Sequence, residues 1–78
     1  MRCIIYKSLK KTDMYLYLRE DAALESLPAA LLGLFGRAEE VMRLQLSPAR
    51  RLAREDVVVV IENLTTQGYH LQLPPVDA

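Results

Sequence analysis

Asp56-Val57-Val58-Val59-Val60-Ile61-Glu62-Asn63-Leu64-Thr65-Thr66-Gln67-Gly68 is the stretch on which the fold turns. As a strand, its β-branched run would form the buried centre of a sheet. As a helix, it would roof one. β-Branched side chains lose rotamer freedom in helices, which favours the strand. Three features outweigh that preference. Val57, Val60, Ile61 and Leu64 recur at i, i+3, i+4 and i+7, the spacing of one helical face. Glu55 and Asp56 place negative charge where the N-terminal end of a helix dipole favours it. Gly68 follows the last periodic residue, where a helix stop belongs. The span from 55 to 68 is also too long for one ordinary strand. The reading is a helix, with Val58 and Val59 off its main stripe and facing a neighbouring loop or a subunit contact.

Downstream, Tyr69–Leu73 alternates, with Tyr69, Leu71 and Leu73 on one face and His70 and Gln72 on the other. Pro74-Pro75 cannot donate ladder hydrogen bonds and ends that strand. Upstream, residues 40–46 alternate too, with Met42, Leu44 and Leu46 inward and Val41, Arg43 and Gln45 outward. Ser47-Pro48 closes this strand, and residues 49–54 form a basic connector with room for a helical turn. Pro28 suits the first position of a helix over 28–35, with Gly36 as its left-handed cap. Leu31, Leu32 and Phe35 give that helix an apolar face, and Gly33 weakens it by about 1 kcal/mol relative to alanine. Asp21 is placed to cap a short turn over 22–25, which Pro28 then breaks.

At the N-terminus, Arg2-Cys3-Ile4-Ile5-Tyr6-Lys7 reads as a strand. Met14-Tyr15-Leu16-Tyr17-Leu18 reads as a second, joined to the first through a short polar loop as an antiparallel hairpin. The order ββ(α)αβαβ predicts an α+β fold, either a two-layer or an α/β/α-type sandwich, on a largely antiparallel four-stranded sheet. One domain over 1–75 with a loose tail at 76–78 is expected.

Seventy-eight residues, 51% of them hydrophobic, suit one small core without metal or disulfide support. The single cysteine, Cys3, cannot form an internal bridge. No apolar run approaches the roughly 18 to 20 residues that span a bilayer, and no leader-like segment opens the chain. A cytoplasmic protein is the plain expectation. Ten basic and ten acidic residues cancel but fall in blocks. Arg2, Lys7, Lys10, Lys11 and Arg19 dominate the start, and Arg43, Arg50, Arg51 and Arg54 a later stretch. Such a domain lacks the broad positive field of a duplex-DNA binder.

Little in the chain suggests chemistry. Metal binding needs several converging ligands, and one cysteine with one distant histidine does not supply them. Cys3 lies in an apolar strand, where a thiol packs as a small hydrophobe. The three glycines sit at or near helix ends, so no loop cradles phosphate. Glu39 and Glu40, adjacent in a strand, point to opposite faces and make a poor acid/base pair. Glu55-Asp56 is better read as a helix start. No cofactor is expected.

One constellation carries a sharper reading. If the helices cover the face with Met14, Leu16, Leu18, Met42, Leu44, Tyr69 and Leu71, the opposite face shows Tyr15, Tyr17, Arg43, His70 and Gln72. Aromatics interleaved with cations on an open sheet can stack unpaired bases while neighbouring charges hold phosphate. Lys10, Lys11, Arg50 and Arg51 would extend the track. The plainer reading is an ordinary mixed outer face, or one covered by residues 49–54.

Cys3-Ile4-Ile5-Tyr6, Tyr15-Leu16-Tyr17, Leu27-Pro28, Phe35-Gly36 and the closing Gln67-Gly68-Tyr69-x-Leu71-Gln72-Leu73-Pro74-Pro75 together resemble the YcgL family of small bacterial proteins. The resemblance covers nearly the whole chain and implies an α/β fold with this element order. It implies no catalytic residues, since the family has no agreed biochemical role. Some members are encoded beside ribonuclease D, which points toward RNA metabolism. The chain departs from the family pattern at residues 57–61, where a more polar helix is usual. The expectation is a non-enzymatic binding or adaptor domain with a protein partner, the alternative being direct binding of single-stranded RNA. A monomer or a weak homodimer is expected, the latter through an open strand edge or Val58/Val59. A small hydrolase or redox enzyme built on Cys3 and His70 is the weakest reading.

Overall fold

The valine run is a helix. In the computed structural model, which describes residues 1–52 and 54–75, helix α2 spans Val57–Thr66. The reading of 76–78 as a tail lies outside the described residues. Asp56 is the N-cap, and its carboxylate accepts from the Val58 amide at 2.9 Å. At the other end Gly68 takes φ +87°, and its amide donates to the Leu64 carbonyl at 3.1 Å. Arg19 Nη1 reaches the same carbonyl at 3.2 Å. Val57, Val60 and Leu64 are buried, whereas Val58 and Val59 face outward, as the periodicity requires.

The other elements are β1 (Arg2–Ser8), β2 (Tyr15–Arg19), a 3₁₀ turn (Leu24–Ser26), α1 (Ala29–Phe35), β3 (Ala38–Gln45) and β4 (Tyr69–Gln72). The four strands form one sheet in the order β3-β1-β2-β4, and all three pairings are antiparallel. This is the expected α+β class with the expected element order.

Local chemistry differs from expectation in three places, the first being Pro28, which is the N-cap just outside α1 rather than its first helical residue. Asp21 does not cap the short turn; its carboxylate pairs with Arg19 Nε, and the turn starts later, behind Ala23. The described part of the 49–54 connector makes a turn closed by Arg50 N to Ser47 O at 3.0 Å, and no helix. Gly36 does cap α1 with a positive φ of +71°, but its ψ of −149° is extended rather than left-handed helical, a combination that favours glycine. A Cβ there would also lie 2.9 Å from Lys10 Cβ, so the position is closed on steric grounds too. The Ser8 hydroxyl donates to the Phe35 carbonyl and accepts from the Lys10 and Lys11 amides, fastening the β1–β2 loop to the end of α1.

The helices cover opposite faces of the sheet, which corrects the expectation of a single roofed face. On one face Cys3, Ile5, Tyr17 and Leu46 pack with Val57, Val60 and Leu64 of α2. On the other, Met14, Leu16 and Leu18 pack with Leu27 and with Phe35 of α1. The architecture is therefore the α/β/α sandwich. β3 also departs from simple alternation. Ile5 pairs with Met42 and Tyr6 with Glu40, so Val41 is the extra residue of a β-bulge. Leu44 pairs with Cys3 and Met42 with Ile5, placing both on the α2 face, away from Leu16 and Leu18. Arg43 pairs with Ile4 on the α1 face.

Candidate functional site

The open stacking face anticipated from sequence is absent. Tyr17 is 6% exposed, and His70 and Gln72 are buried beside it, because α2 lies across them. Tyr15 shares their face and is only partly buried. Arg43 is on the other face, exposed, with its guanidinium 3.0 Å from Glu40. The other basic residues do not form a track with it. Lys10 turns its Nζ to the Gly33 carbonyl of α1 at 3.2 Å, and Lys11 is its loop neighbour. Arg50 and Arg51 line a shallow recess with Glu55 and Val57 at the start of α2.

What the buried residues form instead is a polar knot between α2 and the β2–β4 pair. Tyr17 and His70 are cross-strand partners whose rings meet edge to face at 5.7 Å. His70 Nδ1 lies 2.9 Å from Asn63 Nδ2. An amide nitrogen can only donate, so Nδ1 accepts and Nε2 carries the proton. That Nε2–H is 3.2 Å from Glu55 Oε1 but is not aligned as a hydrogen bond, so the carboxylate acts on it through space. The Gln72 amide is oriented by its neighbours. Its nitrogen donates to Tyr17 Oη at 3.1 Å, while its oxygen accepts from Arg54 at 2.7 Å (Nη2) and 3.2 Å (Nε). Burial pushes the Tyr17 phenol above its ordinary pKa, the Glu55 charge adds to this, and Arg54 opposes it. Tyr17 therefore remains a neutral phenol. The Cys3 thiol is likewise pushed up by burial, against the pull of the N-terminus and Arg50. It stays protonated and weakly nucleophilic at neutral pH.

Beyond the start of α2, the same face of the sheet is left uncovered. Ile5, Tyr15, Tyr17, Val41 and Met42 border a hollow of about 380 Å³, with Asp13, Arg54 and Gln72 also lining it. Val41 and Met42 are 47% and 50% exposed. The bulge is the cause, since it turns both side chains to one face where regular pleating would separate them. Arg54 also donates to the Asp13 carbonyl at 3.4 Å, and Asp13 holds a left-handed φ of 63°. An apolar floor with a guanidinium and a carboxylate beside it can take an apolar side chain and hydrogen-bond the backbone that carries it.

Of the residues expected on an open sheet face, Tyr15, Tyr17 and Gln72 border this hollow, while Val41, Met42 and Arg54 were not among the expected site residues. It also missed Asn63 and Glu55 as the partners of His70. A signal for the covered face was present: Cys3-Ile4-Ile5 is apolar without interruption, as in a strand buried on both sides. No local pattern marks the bulge or the Asn63–His70 contact.

The geometry thus defines a small α/β/α sandwich with a roofed polar knot and a bare apolar hollow. A family model described as the YcgL domain matches residues 3–75. A YcgL domain-containing protein of Pseudomonas fluorescens (strain Pf0-1) is 52% identical over 75 residues, covering 96% of this chain and 77% of the relative. One from Ectopseudomonas mendocina (strain ymp) is 55% identical over 73 residues, covering 94% and 75%. The chain belongs to the YcgL domain family. Neither the family description nor these relatives' names state an activity.

Proposed function

We propose that the domain works by binding another protein through the hollow beside β3, without chemistry of its own. The exposure of Val41 and Met42 over an apolar floor supports this reading most directly. Bare aliphatic side chains gathered at a recess with a polar rim are what a docking anchor needs. The candidate nucleophile and base are both committed elsewhere. Cys3 is sealed under α2 as a raised-pKa thiol, and the ring nitrogens of His70 face Asn63 and Glu55. RNA stacking is the weaker reading, because of the aromatic pair only Tyr15 keeps appreciable exposure on that face. Cytoplasmic placement belongs to the same proposal, supported by an unbridged buried thiol. Among the described residues no helix is long and apolar enough to cross a membrane.

Affinity capture from a Pseudomonas lysate tests the reading, run with the wild type, Tyr15→Ala and Arg54→Ala, each with and without ribonuclease. The expected result is a protein retained by the wild type under both treatments and weakened about tenfold or more by the two variants. Capture that vanishes with ribonuclease would favour RNA instead. Capture indifferent to both substitutions would remove the hollow from the binding surface.

A further inference from the structure

β3 is close to its own complement. It stands at one end of the sheet, so only one of its two edges meets β1. At its C-terminal flank Leu46 donates to the Met1 carbonyl at 2.7 Å, and at its N-terminal flank the Arg37 carbonyl accepts from Leu9 at 2.9 Å. Both flanks therefore turn their backbone toward β1. Backbone groups of successive strand residues alternate between the two edges. Counting inward from Leu46, Gln45 and Arg43 turn away from β1. Counting inward from Arg37, Ala38 and Glu40 do so. The two counts are reconciled by Val41, the extra residue of the bulge. The outward-turned positions 38, 40, 43 and 45 are thus symmetric about the Val41–Met42 peptide. They lie opposite Ser8, Tyr6, Ile4 and Arg2, alternate residues of β1, so their side chains share the α1 face.

We propose that two copies of this chain pair antiparallel through β3, about a two-fold axis normal to the sheet at the Val41–Met42 peptide. In that register the outward backbone groups of residue 40 meet those of residue 43 in the second copy, and 38 meets 45. Glu40 then lies opposite Arg43 of the second copy, twice, so the exposed pair that each copy already forms at 3.0 Å becomes a closed ring of alternating charge. Val41 meets Met42 across the axis on the other face, and Glu39 meets Leu44. No like charges face each other. Bulges and edge charges ordinarily keep strands from pairing. Here they sit at symmetric and complementary positions, so they select one register and disfavour the rest. A two-fold normal to the sheet also keeps both α2 helices on one side, and the two hollows adjoin across the axis. The pairing stands on β3 alone; only the joined trough rests on reading the hollow as a docking surface.

Sedimentation equilibrium of the full chain, from about 10 μM to about 1 mM, reads the pairing. The wild type is expected to dimerise with concentration. Glu40→Arg or Arg43→Glu alone places like charges opposite each other at both contacts and weakens association about tenfold or more. The double variant Glu40→Arg/Arg43→Glu restores the complementarity and recovers the dimer. A wild type that stays monomeric overturns the proposal, as does a dimer indifferent to the single variants. So does a double variant that is folded by circular dichroism yet associates no better than either single one. Because residues 40 and 43 face away from the hollow, the two ideas fail separately. Partner capture by a monomeric chain removes the pairing alone. A dimer whose Tyr15→Ala and Arg54→Ala variants both capture as the wild type does removes the docking surface alone.

Discussion

β4 and β3 end the same sheet and are built in opposite ways. β4 is four residues long, sends Tyr69 and Leu71 into one apolar cluster and His70 and Gln72 into the polar knot, and is followed by two prolines. β3 is eight residues long, bulged and mostly exposed, and is held chiefly by its ladder to β1. Short length and prolines are how a sheet closes an edge for good, while a long bare edge stays open to company. Stability is therefore concentrated on the α2–β4 side, and freedom to interact lies on the β3 side.

The largest expected break in this contrast is Leu64→Ala. Leu64 is fully buried on the inner face of α2, so its truncation should lower the unfolding free energy by about 2–5 kcal/mol in urea titration. A loss below 1 kcal/mol would mean that α2 does not anchor this half. His70→Ala comes next, at about 1–3 kcal/mol, because the Asn63 amide and the Glu55 carboxylate lose the group they enclose. An unchanged midpoint would show the knot to be decorative.

Tyr17→Phe should cost about 1 kcal/mol at neutral pH through the lost Gln72 contact, and it also changes the alkaline limb. Burial raises the folded-state pKa of Tyr17 above the ordinary tyrosine value of about 10. The unfolded chain thus releases this proton first. The contribution of Tyr17 is fully present below that pH and is lost as pH rises through the folded pKa. Cys3 acts in the same direction from its own ordinary value upward, since its pKa is raised as well. Denaturation midpoints followed from about pH 8 to pH 11 should fall for the wild type and fall less for Tyr17→Phe. Parallel slopes would remove Tyr17 as the cause. The smallest effect belongs to β3: Met42→Gln should shift stability by no more than about 0.5 kcal/mol.

Helix α2 was legible because period and caps agree: Val57, Val60 and Leu64 fall inside, and Asp56 and Gly68 mark the two ends. β2 and β4 were legible from alternation, β1 from its β-branched and aromatic residues, and the hairpin from the short polar loop between them, as was Gly36 from its place after Phe35. The roofing of both faces was harder to read, because Tyr15 and Tyr17 carry hydroxyls and look like an outer face by residue type. In the fold the Tyr17 hydroxyl is satisfied by Gln72, which reaches it only through the β2–β4 pairing, a contact 55 positions away in the chain. In β3 the alternation of Met42, Leu44 and Leu46 against Arg43 and Gln45 holds, and Val41 is the exception. Alternation assumes one residue per step, and a bulge at Val41 breaks that assumption without altering composition. The hollow depends on that break, so the part of the candidate site least visible in sequence is the part that strict periodicity would have erased.

With the sheet as a partition, the apolar interior is divided into two separate reservoirs: one under α2, the other under α1 and Leu27. Side chains on opposite sides of a backbone layer share no cavity, so damage to one reservoir is not felt as loose packing in the other. Substitutions under α1 should accordingly add to those in the knot around His70 without coupling to them.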